Sequence, residues 1–106
     1  MSSGSHPSPL RPAPDRTPEA LRELLGTLVI VDTDAAFIYL GRLVGADPEF
    51  LRLEEVDAHE ISKASLSKER YVHEARNIGV RSNRKCTWVN MARVISIARL
   101  EDVIVF

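Results

Sequence analysis

The side chains with the greatest chemical reach in this sequence are Cys86, His59 and His73. A cysteine nucleophile needs an oriented base and a site for the oxyanion. His59 is the available base, in the run Asp57-Ala58-His59-Glu60. No glycine-rich turn or phosphate loop accompanies the pair, so no catalytic residue and no small-molecule substrate are expected. Cys86 is then expected to be a small buried apolar side chain. Asp57 and His59 fall on one face of a strand, which is suggestive of a metal. Their spacing from His73 and Cys86 matches no standard tetrahedral zinc pattern, so neither metal nor cofactor is expected. His59 is read as a strand-end histidine in a polar hydrogen-bond network.

The remaining chemistry is recognition. Arg81, Asn83, Arg84 and Lys85 form the basic cluster, with Arg76 close enough in sequence to join it. A few such side chains can position a nucleic-acid backbone through its phosphates. The plainer reading is a solvated loop whose charges aid solubility. Phe50, Tyr39, Tyr71 and Trp88 could stack on bases. Aromatics in strands and on helix faces usually belong to the core, which is the expectation for Tyr39 and Tyr71. Trp88 is expected in core or interface, and Phe50 at the junction of a loop and a strand.

Composition sets the frame for these residues. The 106-residue chain has 14 basic and 15 acidic side chains and a net charge of −1. Such a balance gives no global attraction to nucleic acid or anionic membrane, so any nucleic-acid site must be a local patch. A lone cysteine forms no internal disulfide, and a reducing, cytoplasmic setting is the default expectation. No apolar run reaches the length of a membrane span. Residues 1–16 (MSSGSHPSPLRPAPDR) lack the apolar stretch of a signal peptide and are expected to form a disordered Ser/Pro-rich tail. Residues 17–106 make one domain, small enough that oligomerisation would be a natural source of extra stability.

The elements that must position the candidate residues are mostly strands. Thr17-Pro18-Glu19 starts a short helix, with Thr17 as cap, a face of Leu21, Leu24 and Leu25, and Gly26 as the stop. Residues 28–31 form a first strand and Asp32-Thr33-Asp34 a turn. Residues 36–46 form a second strand, with Gly41 at its middle marking a sharp bend or a close backbone approach. Residues 50–56 form a third, with Leu51 and Leu53 alternating against Arg52 and Glu54. A helix follows to about Ile78, capped by Ser65 or Ser67 and stopped by Gly79, with Tyr71, Ala75 and Ile78 on one face. Residues 86–91 and 93–98 form two more strands. The apolar segment 100–106 is expected to dock on this domain or a neighbour.

In residues 36–56, Gly41, Leu43, Asp47, Leu51 and Leu53 resemble the first motif of the Sm-like (LSm) family. Asn90-Met91-Ala92-Arg93-Val94-Ile95-Ser96-Ile97 resembles the second, two strands around a tight turn. The resemblance spans about residues 17–56 and 86–98. It implies a mainly β fold: a strongly bent five-stranded antiparallel barrel with an N-terminal helix, here with a second helix inserted between strands three and four. It also implies that strand four of one subunit pairs with strand five of the next, closing a homo-oligomeric ring of about six or seven copies. The family's RNA contacts come from two loops. Asp47 holds the aspartate position of the first loop, while Phe50 falls at or near its asparagine. In the second loop Asn90, Met91, Ala92 and Arg93 stand where an arginine-glycine pair is usual. That base-reading apparatus is therefore not carried over. Candidate RNA contacts are Asp47, Phe50, Arg81, Asn83, Arg84, Lys85, Asn90 and Arg93. The expected function is a ring-forming, non-enzymatic subunit that binds single-stranded RNA or scaffolds it. The alternative is a structural or protein-interaction oligomer without RNA.

Overall fold

The computed structural model describes residues 15–61 and 67–104. Most of the expected N-terminal tail, the alternative cap Ser65 and the last two residues lie outside them. The first helix differs from its expected form. It is a 3-10 helix, Glu19–Leu24, entered through Pro18 without a side-chain cap. Thr17 does not cap it; its backbone N–H instead donates to Asp15 Oδ1 at 2.9 Å. Asp15 also holds Arg22 at 2.6 Å. The Thr17 amide first, and Arg22 second, keep the Asp15 carboxyl at a pKa of about 2. Gly26 ends the turn with φ at +83°, a conformation that costs other residues more than glycine.

Five strands form one antiparallel sheet: β1 Leu28–Thr33, β2 Phe37–Ala46, β3 Phe50–Glu60, β4 Arg84–Asn90 and β5 Val94–Arg99. The spatial order is β4-β3-β2-β1-β5. The expected mainly β, five-stranded antiparallel architecture is therefore present. β1 runs through Asp32 and Thr33, which sequence alone assigned to a turn. Thr33 delays that turn: its hydroxyl donates to Phe37 O at 2.7 Å and accepts from Ala35 N–H at 3.3 Å.

β3 also runs further than expected, because residues 57–60 pair with Phe37–Leu40 of β2, and on the other edge Asn83 satisfies Ala58. The Asn83 amide accepts from Ala58 N–H and donates to Ala58 O, each at 3.1 Å, beyond the last β3–β4 pair at Val56 and Arg84.

Gly41 acts through close approach. A Cβ there would lie 3.1 Å from both Glu54 O and Val56 Cγ2. Opposite it, the β2–β3 register shifts between Leu40 and Arg42, and Glu55 adopts φ of +53°. An extra residue on one strand bends the ladder locally.

The sheet buries residues on both faces. On the inner face Val29, Val31, Leu43, Leu51, Leu53, Val56 and Val89 form the main core, with Leu24 of the 3-10 helix against it. On the outer face Ile30, Ile38 and Leu40 pack against Tyr71 and Ala75 of the inserted helix α1, Lys68–Ile78, and against Leu100. Ser67 caps α1 by accepting from Arg70 N–H at 3.2 Å, and Gly79 ends it at φ +105°. Ile78 departs from the expected apolar face and is 75% exposed. Leu100 docks on its own domain, whereas Ile104 is exposed.

Candidate nucleic-acid interface

The β3–β4 ladder separates the candidate residues. Phe50 pairs with Asn90 at one end, and Val56 with Arg84 at the other. About 20 Å of strand lies between them, at roughly 3.3 Å per residue.

The first end joins the two loops singled out by the resemblance. Asp47 closes its own turn, with Oδ1 accepting from Glu49 N–H at 2.7 Å and Phe50 N–H at 2.8 Å. Those bonds, Phe50's first, hold its carboxyl below the ordinary range. Asn90 Oδ1 accepts from Ala92 N–H at 2.9 Å and caps a 3-10 turn over Met91–Arg93. Met91 N–H donates to Glu49 O at 2.8 Å, tying the loops together. Asp47 Oδ1 and Asn90 Oδ1 thus stabilise turns. Phe50 is 40% exposed beside them. Arg93 points to a third loop, 3.4 Å from Asp34 Oδ2.

The second end holds the basic residues, but not as one cluster. Arg84 and Lys85 are exposed and border a shallow depression with Glu55, Ser82 and Asn83. Arg84 donates to Asn83 Oδ1 at 3.0 Å. Arg81 lines a different cleft, and Arg76 borders a groove with Leu28, Arg42 and Glu101. Asn83 is consumed by Ala58 and Asp57. Arg84 and Lys85 therefore remain as the pair best placed for phosphate.

A polar constellation that sequence reasoning did not assemble sits beneath α1. Tyr71 OH donates to Asp57 Oδ2, and Asn83 Nδ2 donates to Asp57 Oδ1 at 3.1 Å. Burial, and then the Asp57 carboxylate, hold the Tyr71 phenol well above its ordinary range. His59 stacks on the Tyr71 ring, with centroids 4.2 Å apart and planes 7° from parallel. Its Nε2 is buried and makes no hydrogen bond, so the expected polar network does not include that atom. Asp57 and His59 share the outer face, as their spacing suggested. The missing partner was Tyr71, which the sequence reading placed in the core without its hydroxyl. A cleft of about 310 Å³ opens beside Asp57 and Tyr71, lined also by Glu74, Ile78, Gly79 and Arg81. Among the described residues no group of three or more His, Cys, Asp or Glu side chains could hold a metal.

The outer face at β3 and β4 corrects one expectation and narrows another. Cys86 is exposed, not buried, because its strand position directs it away from the core that Thr87 and Val89 face. Its sulfur lies beside Arg52 and is the main influence raising the already high pKa of that guanidinium. Trp88 is 60% exposed, outside the core, with Arg52 5.4 Å from its ring centre. No described helix is long and apolar enough to cross a membrane. Comparison with protein-family models and with curated protein sequences gives no match.

Proposed function

We propose that this chain is an Sm-like subunit that assembles edge to edge into a closed homo-oligomer, of about six or seven copies by the resemblance, and that the ring scaffolds single-stranded RNA. The observation that carries the assembly is the position of β4 and β5. They follow one another in sequence, yet they occupy opposite edges of the sheet. Each presents a row of backbone groups with no other strand of the described residues beside it. Such edges recruit another strand unless they are blocked. Neither contains proline, and both carry exposed apolar side chains, Trp88 on β4 and Ile95 on β5. The strand order, the close approach at Gly41 and the turn between β4 and β5 support the Sm-like reading.

RNA association rests on repetition. Arg84 and Lys85 are exposed in each copy, and a ring multiplies them. Phosphate contacts of this kind are sequence-independent and weaken with salt, each contributing about −0.7 to the logarithmic salt slope for single strands. Phe50 is exposed enough to stack on a base. One observation favours the alternative, a structural or protein-interaction oligomer. Asp47 Oδ1 and Asn90 Oδ1, in the two loops that would read bases, are taken up by their own turns.

Fluorescence titration of labelled poly-uridine and poly-adenine at low and moderate salt decides between these readings. RNA scaffolding requires binding that weakens with salt, and a shallower slope for the double variant Arg84→Ala, Lys85→Ala. An oligomer that binds neither RNA at low salt leaves the structural reading in place.

A further inference from the structure

Arg76 stands apart from the other basic residues, in a groove that the inserted helix creates. The groove has a volume of about 370 Å³. It runs between the C-terminal turn of α1, the start of β1 and the 3-10 turn Leu100–Asp102. Concavities of this size and mixed lining are where small ligands and single groups of larger ones are held. Leu28, Ala75 and Leu100 supply the apolar part of the lining. Ala75 and Leu100 are buried, and Leu28 packs half buried against them.

The charged part of the lining is unpaired. Arg76 and Glu101 are both exposed, and neither makes a hydrogen bond or ion pair among the described residues. They share one groove without reaching each other. Asp102 is taken by Arg99 at 3.8 Å, which leaves Glu101 as the free acid of its turn. Arg42 is the second cation in the groove. Its Nε donates to Glu55 at 3.0 Å and its Nη1 to Gly26 O at 2.9 Å, so the guanidinium is oriented before any ligand arrives. Glu55 also borders the depression of Arg84 and Lys85. The groove therefore adjoins that phosphate-binding pair, and one extended strand of RNA can cross both.

These residues call for three properties in one ligand. Two guanidiniums match the oxygens of a phosphate. The apolar lining matches the flat face of a base. Glu101 matches an N–H donor. A carboxylate accepts from the N4 amino group of cytosine, and the N6 amino group of adenine is a donor of the same kind. Uracil presents a carbonyl oxygen at the equivalent position, acceptor against acceptor.

We propose that this groove is a nucleotide subsite, filled by one residue of the bound RNA in each copy. Arg76 and Arg42 take the phosphate, Leu28, Ala75 and Leu100 cover the base, and Glu101 selects cytosine or adenine over uracil. The proposal rests on the RNA-scaffolding reading above and adds a second contact and a base preference. It shares no residue with the loops of Asp47 and Asn90, and one of its walls is the inserted helix that the resemblance lacks.

The test is fluorescence anisotropy of the full chain with end-labelled oligo-cytidine, oligo-adenine and oligo-uridine of equal length at one low salt concentration. Oligo-cytidine and oligo-adenine should bind at least about fivefold more tightly than oligo-uridine, the scale of one base contact. Glu101→Ala should abolish that preference. Arg76→Ala should weaken all three alike and reduce the logarithmic salt slope by about 0.7. The double variant Arg84→Ala, Lys85→Ala should weaken all three and keep the preference. Both Arg76 and Glu101 are exposed and unpaired, so their variants leave the fold intact. RNA bound without preference, a preference that survives Glu101→Ala, or binding indifferent to Arg76→Ala overturns the subsite and leaves RNA scaffolding in place. A chain that binds none of the three overturns both.

Discussion

The outer face of the sheet is finished differently at its two ends. Over β1 and β2, α1 lies across Ile30, Ile38 and Leu40, and Tyr71 and Ala75 are buried with them. Over β4 and residues 50–54 of β3 no described element covers the outer face, and Phe50, Arg52, Cys86 and Trp88 are exposed. The helix that could have shielded more of the sheet stops at Gly79, short of Trp88. A sheet face that is dry at one end and aromatic but wet at the other divides its work. The covered end stabilises the subunit. The bare end is available to a partner, and exposed aromatic surface of this kind marks interaction sites.

Substitutions can sharpen or break that division. The largest loss of subunit stability is expected from Leu53→Ala on the inner face, where the side chain is fully buried. A loss of about 2–5 kcal/mol in denaturant unfolding is expected for such a truncation. Gly41→Val comes next. Its branched side chain meets Glu54 O and Val56, with a cost of about 1–3 kcal/mol typical of overpacking.

Tyr71→Phe tests the covered end through one hydroxyl. It removes the donor to Asp57 Oδ2 while Asn83 still holds Oδ1, and should cost about 1–2 kcal/mol. It should also alter the alkaline limb of the stability curve. Burial and the Asp57 carboxylate raise the Tyr71 phenol above the ordinary value of about 10 in the folded chain. The folded state therefore keeps its proton where the unfolded state loses it. That contribution is complete below about pH 10 and is lost as pH rises toward the folded value. Thermal melts from neutral pH to pH 11 should fall less steeply for Tyr71→Phe. Equal slopes would show that the buried phenol does not govern the limb.

The smallest effect on the subunit itself is expected at the bare end. Trp88→Ala should change the unfolding free energy of the isolated subunit by no more than about 0.5 kcal/mol, as for most surface changes. The same substitution should weaken association about 30-fold or more, the scale of an interfacial anchor. A large loss of subunit stability would instead make Trp88 part of the core and erase the contrast.

The covered end was partly legible in the sequence. Alternation of Leu51 and Leu53, the apolar run through Gly41, the Ser67 cap and the Gly79 stop all act locally, and the corresponding elements formed. What local signals missed depends on distant partners. The extension of β3 needs pairing with the start of β2, and the extension of β1 needs pairing with both β2 and β5. Tyr71, Asp57 and Asn83 meet only because α1 folds back over the sheet. Cys86 was misjudged, and Trp88 left open between core and interface, for a related reason. Their residue types favour burial, but alternation along β4 assigns them to a face that this chain leaves uncovered.

Sedimentation of the full chain over a range of concentrations tests the central claim most directly. The expected result is a closed oligomer of fixed size, with Trp88→Ala shifting it toward smaller species. A chain that sediments as a monomer throughout that range would contradict edge-to-edge assembly.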